Sequence, residues 1–125
     1  MAPLARAQGT GNRTGFGTPD EALLVHLCDI PECETWNLQI SDHWMESLDL
    51  RFFQISVNKF TAHYEANGSV WIVISAQRPG PRYPNWLNTC GYDQGGMLGR
   101  YVGAKNLPTE MPTKLVRITE LQAQQ

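Results

Sequence analysis

An antiparallel all-β fold, either a sandwich or a barrel, is predicted by three features of this 125-residue sequence. Apolar residues gather in short runs or strict alternation instead of at helical spacing. Eight prolines and eleven glycines fall largely between those runs and divide them. Only one stretch, residues 42–49, has room for a helix, and it would be a turn or two long. The pattern amounts to about seven or eight short strands with at most one short helix, which excludes a doubly wound α/β fold. No internal repeat is visible, so a propeller or solenoid is excluded as well.

Residues 1–18 are rich in glycine and threonine, carry arginine but no acid, and show no hydrophobic period. They read as a flexible N-terminal tail or linker ahead of a single β-sandwich domain over 19–122. The start is abrupt, as if a larger upstream part were missing. Residues 21–28 form a first, largely buried strand. In 35–40, Trp36, Leu38 and Ile40 alternate with Asn37 and Gln39, which predicts one buried face. Residues 52–57 and 59–65 are strand candidates on either side of Asn58. Asn67-Gly68 supplies the two left-handed residues of a type I′ turn and leads into the strand 70–75 as a hairpin. Residues 96–102 and 114–121 complete the set.

Composition narrows the class of protein. A hydrophobic fraction of 42% with 18% charged residues fits a folded domain and not a disordered chain. The net charge of -2 provides no field to attract nucleic acid or an anionic membrane. No apolar run reaches the roughly 18 residues of a membrane-spanning helix, and the first residues lack the apolar centre of a secretory signal. With an odd number of cysteines, three, at least one thiol stays free or pairs between chains, and the expectation is a soluble, cytoplasmic protein. Cys28 and Cys33 flank a loop that would set them opposite each other. A disulfide there and two separate small apolar thiols are both open. No second pair with ligand spacing supports zinc, and no cofactor is expected.

Two stretches concentrate chemistry. Residues 42–51 hold His43, Glu46, Asp49 and Arg51, the candidate acid–base residues. In one helical turn His43 and Glu46 would share a face, with His26 or His63 as a distant third metal ligand. The competing reading is a solvated connection anchored by Trp44 and Leu48. The second stretch, PNWLNTCG at 84–91, sets Trp86 between Asn85 and Asn88 in a turn-forming context. It is read either as an anchored bend or as the floor of a pocket. Trp44, Asn85, Trp86, Asn88 and Arg100 are the candidate ligand-binding residues: aromatic area from the tryptophans, orienting amides, and a guanidinium for a carboxylate or oxyanion. Trp36 and Trp71 have strand periodicity and are assigned to the core. Asp93 is the carboxylate placed to pair with Arg100.

These motifs also carry a resemblance. Trp44 followed by Glu46-Ser47-Leu48-Asp49, then Asn67-Gly68-Ser69, Pro79-Gly80, Asn85-Trp86-Leu87, Gly91, Gly95 and Arg100 resembles the family known as domain of unknown function 1214, over residues 19–121. The resemblance implies a β-sandwich of jelly-roll type, found in that family as the C-terminal part of larger bacterial or fungal proteins, with no established activity. Two positions depart from the pattern. Asn88 replaces an acid, and Tyr92 replaces a histidine, which removes two acid–base groups from the motif. Three functions follow for comparison. They are a small-molecule pocket, a non-catalytic carbohydrate- or protein-binding module, and a structural half that self-associates as a homo-oligomer through a surface an upstream domain would cover.

Overall fold

The computed structural model describes residues 8–15, 20–28, 30–42, 44, 53–91, 94–104 and 112–123. Among them eight strands and one short helix form a two-sheet β-sandwich. The strands are β1 (Gln8–Gly15), β2 (Glu21–Leu27), β3 (Thr35–Ser41), β4 (Ser56–Asn58), β5 (Val70–Ser75), β6 (Trp86–Asn88), β7 (Gln94–Val102) and β8 (Thr113–Arg117), followed by α1 (Ile118–Gln122). The first sheet has the order β1-β7-β3-β4 and the second β6-β5-β2-β8.

The alternation in β3 explains the packing between the sheets. Trp36, Leu38 and Ile40 are buried while Asn37 and Gln39 lie on the other face, so β3 has one core side. Met97, Tyr101 and Val57 join them from the first sheet. Val25, Leu27, Val70, Ile72, Ile74 and Leu87 meet them from the second. β5 is buried on both faces because a separate layer covers its back: Ala22 and Val73 pack there against Ile118 and Leu121 of α1. The strand expected over 114–121 therefore ends at Arg117 and turns into a helix whose two apolar residues close the outer face.

Four features depart from the sequence expectations. Gln8–Gly15, which has no apolar period, pairs with β7 through eight consecutive positions. β6 runs parallel to β5, so the sandwich is not wholly antiparallel. Residues 59–65 form no strand. They carry the chain from β4 in the first sheet to β5 in the second. Asn67-Gly68 is not a type I′ turn either, because only Gly68 has positive φ, at 85°. The Gly68 N–H donates to the Glu65 carbonyl at 2.9 Å and the Glu65 N–H to that of Ser69 at 2.8 Å, the pattern of a tight turn closed by a left-handed glycine. Asn67 contributes through its side chain, whose Oδ1 accepts from the Ser69 N–H and hydroxyl.

All three cysteines are free thiols, with Cys28 exposed and Cys33 in the core. Burial raises the Cys33 pKa, partly opposed by Lys59, whose ammonium donates to the Cys33 carbonyl at 2.8 Å. Burial likewise raises that of Tyr101, with the Cys33 and Cys28 thiols adding to it. For both groups the folded state holds its proton more tightly than the unfolded state. Their contribution is thus complete below the ordinary thiol range and fades as pH rises through it. Urea midpoints are expected to be flat across neutrality and to fall from about pH 8.5 upward. In the turn, Gly68→Ala meets no atom within 4 Å, so its cost is the backbone's alone. A loss of about 1 to 2 kcal/mol is expected by denaturant titration, and Gly68→Asn should lose less.

Candidate functional site

Most residues of the PNWLNTCG stretch have a structural task. Asn85 is buried, at 3% exposure, and its amide is fully engaged as a donor. Oδ1 accepts from the His63 N–H at 2.9 Å, while Nδ2 donates to the His63 carbonyl at 2.9 Å and the Trp71 carbonyl at 3.0 Å. The Trp86 indole N–H donates to the Ser75 carbonyl at 3.1 Å, and the Arg78 guanidinium sits 5.5 Å from its ring. Leu87 enters the core. Asn88 Oδ1 caps the next turn by accepting from the Cys90 N–H at 2.9 Å. That bond accompanies two consecutive left-handed residues, Cys90 at φ 55° and Gly91 at φ 88°. The anchored-bend reading accounts for the stretch.

The pocket expected between Trp86 and Arg100 does not form. Trp86 pairs with Val73 and packs on the layer under α1, the outer face of the second sheet. Arg100 lies between core-facing Met97 and Tyr101 along β7 and pairs with Asn37, on the outer face of the first sheet. Both sheets stand between the two side chains, about 10 Å of packed core. Trp44 is 72% exposed, and its N–H donates to Asp42 Oδ1 at 2.8 Å. The acid–base candidates His43, Glu46, Asp49 and Arg51, and also Asp93, lie outside the described residues. His26 and His63 are apart in role. His26 stacks on Trp71, whereas His63 is exposed on the arch. Among the described residues no three histidine, cysteine or carboxylate side chains converge as metal ligands.

A different group of residues forms a concavity on the outer face of the second sheet. His63, Tyr64, Glu65, Trp71, Arg82, Tyr83 and Asn85, with Pro81 and Pro84, line an open groove of about 330 Å³. It thus combines a tryptophan, an asparagine and an arginine, the types the sequence pointed to, but only Asn85 is shared with the expected set. Trp71 is fixed from behind by His26, with ring centroids 3.8 Å apart and planes 1° from parallel. That stack follows from register, since the two residues are opposite each other in the β2–β5 pair. The His26 Nε2 is buried with no hydrogen-bond partner. The Tyr64 hydroxyl donates to the Lys59 carbonyl at 2.7 Å and its ring stands edge-on to buried Trp36 at 6.3 Å. Glu65 and Arg82 approach to 3.9 Å across the groove, both half-exposed. Tyr83 is held by a turn in which its N–H donates to the Gly80 carbonyl at 3.1 Å. Trp71, assigned to the core from its strand periodicity, lies outside it in the groove lining. The reason was in the pattern: it alternates with Val70 and Ile72, so it faces away from the core they fill. Arg82 and Tyr83 had no periodic signal, because the 76–85 connection places them.

Replacing Asn85 with alanine strips partners from three backbone groups, two of His63 and one of Trp71, at once. Asn85→Ala is expected to cost about 3 kcal/mol in denaturant titrations, and Asn85→Asp to recover little because it restores no donor. Trp86→Ala removes a half-buried ring and should cost about 2 to 3 kcal/mol, below the range for fully buried aromatics. Asn88→Ala loses one capping bond and should cost about 1 kcal/mol.

No family model and no curated protein matches this chain. Among solved structures it is similar to an uncharacterized protein from Burkholderia cenocepacia, with 38% identity and a TM-score of 0.83 over 90% of this chain. A Vibrio parahaemolyticus protein shares the fold at 16% identity and a TM-score of 0.58, over 89% of this chain. The chain spans only 30% and 31% of the lengths of these two proteins, so the same two-sheet unit occurs in both as one part of a longer polypeptide.

Proposed function

We propose that this domain is a small-molecule-binding β-sandwich whose site is the groove beside Trp71. The observation that carries this reading is the grouping of three aromatic rings and a Glu65–Arg82 pair around one concavity of about 330 Å³. That volume is at the lower end of the roughly 300 to 1,000 Å³ usual for ligand sites, which fits a small ligand. The platform is pre-organised, since His26 backs Trp71, and Lys59 and Trp36 hold Tyr64. Ordering costs on binding are correspondingly small. Binding without catalysis is favoured because the groove is open to solvent and Asn85 and Tyr64, two of its polar groups, are already committed to backbone.

Membership of the domain of unknown function 1214 family belongs to the same reading. Its support is that the motif residues are used structurally: Asn85 lines the groove and bonds the His63 and Trp71 backbone, the Trp86 indole bonds the Ser75 carbonyl, Leu87 enters the core and Gly91 takes a left-handed turn.

The test is an NMR titration of isotope-labelled protein with millimolar hexose, hexuronate, aromatic carboxylate and amino sugar, one at a time. At least one probe is expected to shift the Trp71 indole and the amides of Tyr64, Glu65 and Tyr83 as a group. Shifts scattered over the surface, or none with any probe, would refute the reading.

A further inference from the structure

The side chains of the groove also restrict what kind of molecule it accepts, an inference that rests on the binding reading above. Its described lining carries one carboxylate, Glu65, and one guanidinium, Arg82, 3.9 Å apart. Opposite charges at that distance cancel most of each other's field. An anionic ligand drawn to Arg82 must also approach Glu65, and a cationic ligand meets the reverse penalty. An uncharged ligand meets neither. The pair still offers both halves of hydrogen bonding: a carboxylate that only accepts and a guanidinium that only donates. A hydroxyl both donates and accepts, so neighbouring hydroxyls on one molecule can engage the two groups together.

The remaining surface is largely aromatic, and two of its polar groups are already committed to backbone. The Tyr64 hydroxyl is spent on the Lys59 carbonyl, and both amide protons of Asn85 are spent on backbone carbonyls. Trp71 has one face against His26 and lines the groove with the rest of its indole. Its indole plane is set by that stack and the wall of 81–84 by its two prolines, so the platform needs no rearrangement. A ligand matching all of this has one apolar face, a rim of hydroxyls and no net charge.

We infer that the ligand is a neutral carbohydrate, lying with the C–H face of a pyranose on the Trp71 side of the groove and its hydroxyls on the Glu65–Arg82 pair.

The experiment compares cellobiose and maltose with glucuronate, glucosamine and benzoate, using the amide and indole shifts of the groove. A neutral disaccharide is expected to give the largest saturable shifts. Glu65→Gln keeps the shape but removes the carboxylate charge beside Arg82. It should weaken the neutral sugar by roughly tenfold, the loss of one charge-assisted hydrogen bond, and strengthen glucuronate. Arg82→Gln is the second variant, and should weaken the sugar without admitting the anion. Both positions are half-exposed, so each variant is expected to fold. If glucuronate, glucosamine or benzoate binds the groove more tightly than either disaccharide, the carbohydrate inference is overturned while the binding reading stands. If no probe moves the groove residues, both fall.

Discussion

One buried amide governs how the chain passes between its two sheets. β4 ends in the first sheet and β5 begins in the second, so residues 59–69 must cross the gap, with the Lys59 N–H still donating to the Trp36 carbonyl at 2.9 Å and no strand formed after it. Asn85 supplies what that crossing lacks. It takes the N–H and carbonyl of His63 and the carbonyl of Trp71, while its own carbonyl accepts from the Val73 N–H at 2.9 Å. The arch, β5 and the start of β6 therefore share one node. Only a carboxamide presents two donors and an acceptor from a single short side chain. An aspartate there would face two carbonyls with a charge.

Because that node fixes the arch, it also fixes what hangs from it. Tyr64 and Glu65 follow His63 directly, and Trp71 is gripped through its carbonyl, so one side of the groove is positioned by backbone. The other side, Arg82 and Tyr83, precedes Asn85 with only Pro84 between. The outer face of the second sheet is thereby divided in use. One part is sealed as a second small core by α1, and the other part, where Trp71 stands on His26, stays open.

Much of the sandwich was legible in the sequence, because β2, β3, β5 and β7 carry either alternation or continuous apolar runs. Two kinds of element were not. β1 owes its place to backbone pairing along a strand rich in glycine, and no side-chain period announces that. Residues 59–65 carry strand-like residues, but their hydrogen bonds go to Trp36, to the nearby Asn58 and Ser69 and, for His63, to a distant asparagine. The site was half legible for a similar reason. The groove contains residue types the sequence pointed to, yet placing Trp86 and Arg100 required knowing which face of which sheet each would take. Alternation gives the face within a strand and says nothing about which sheet the strand joins. Asn85 was readable as a residue that bonds backbone, though not as one that reaches 22 positions back along the chain.

The long reach of β1 has a consequence for synthesis. Its partner positions in β7 run from Gln94 back along the chain against Gly15, and up to Tyr101 against Gln8. Within this unit the first strand to be made is thus completed by almost the last one, about eighty to ninety residues later, a separation that slows any fold depending on it. Until then the nascent chain can assemble β3 with β4 and β2 with β5, but the first sheet lacks its β7 member. The edge strand waits in solution as a glycine-rich segment with little apolar surface to hide, a composition that tolerates delay without clumping.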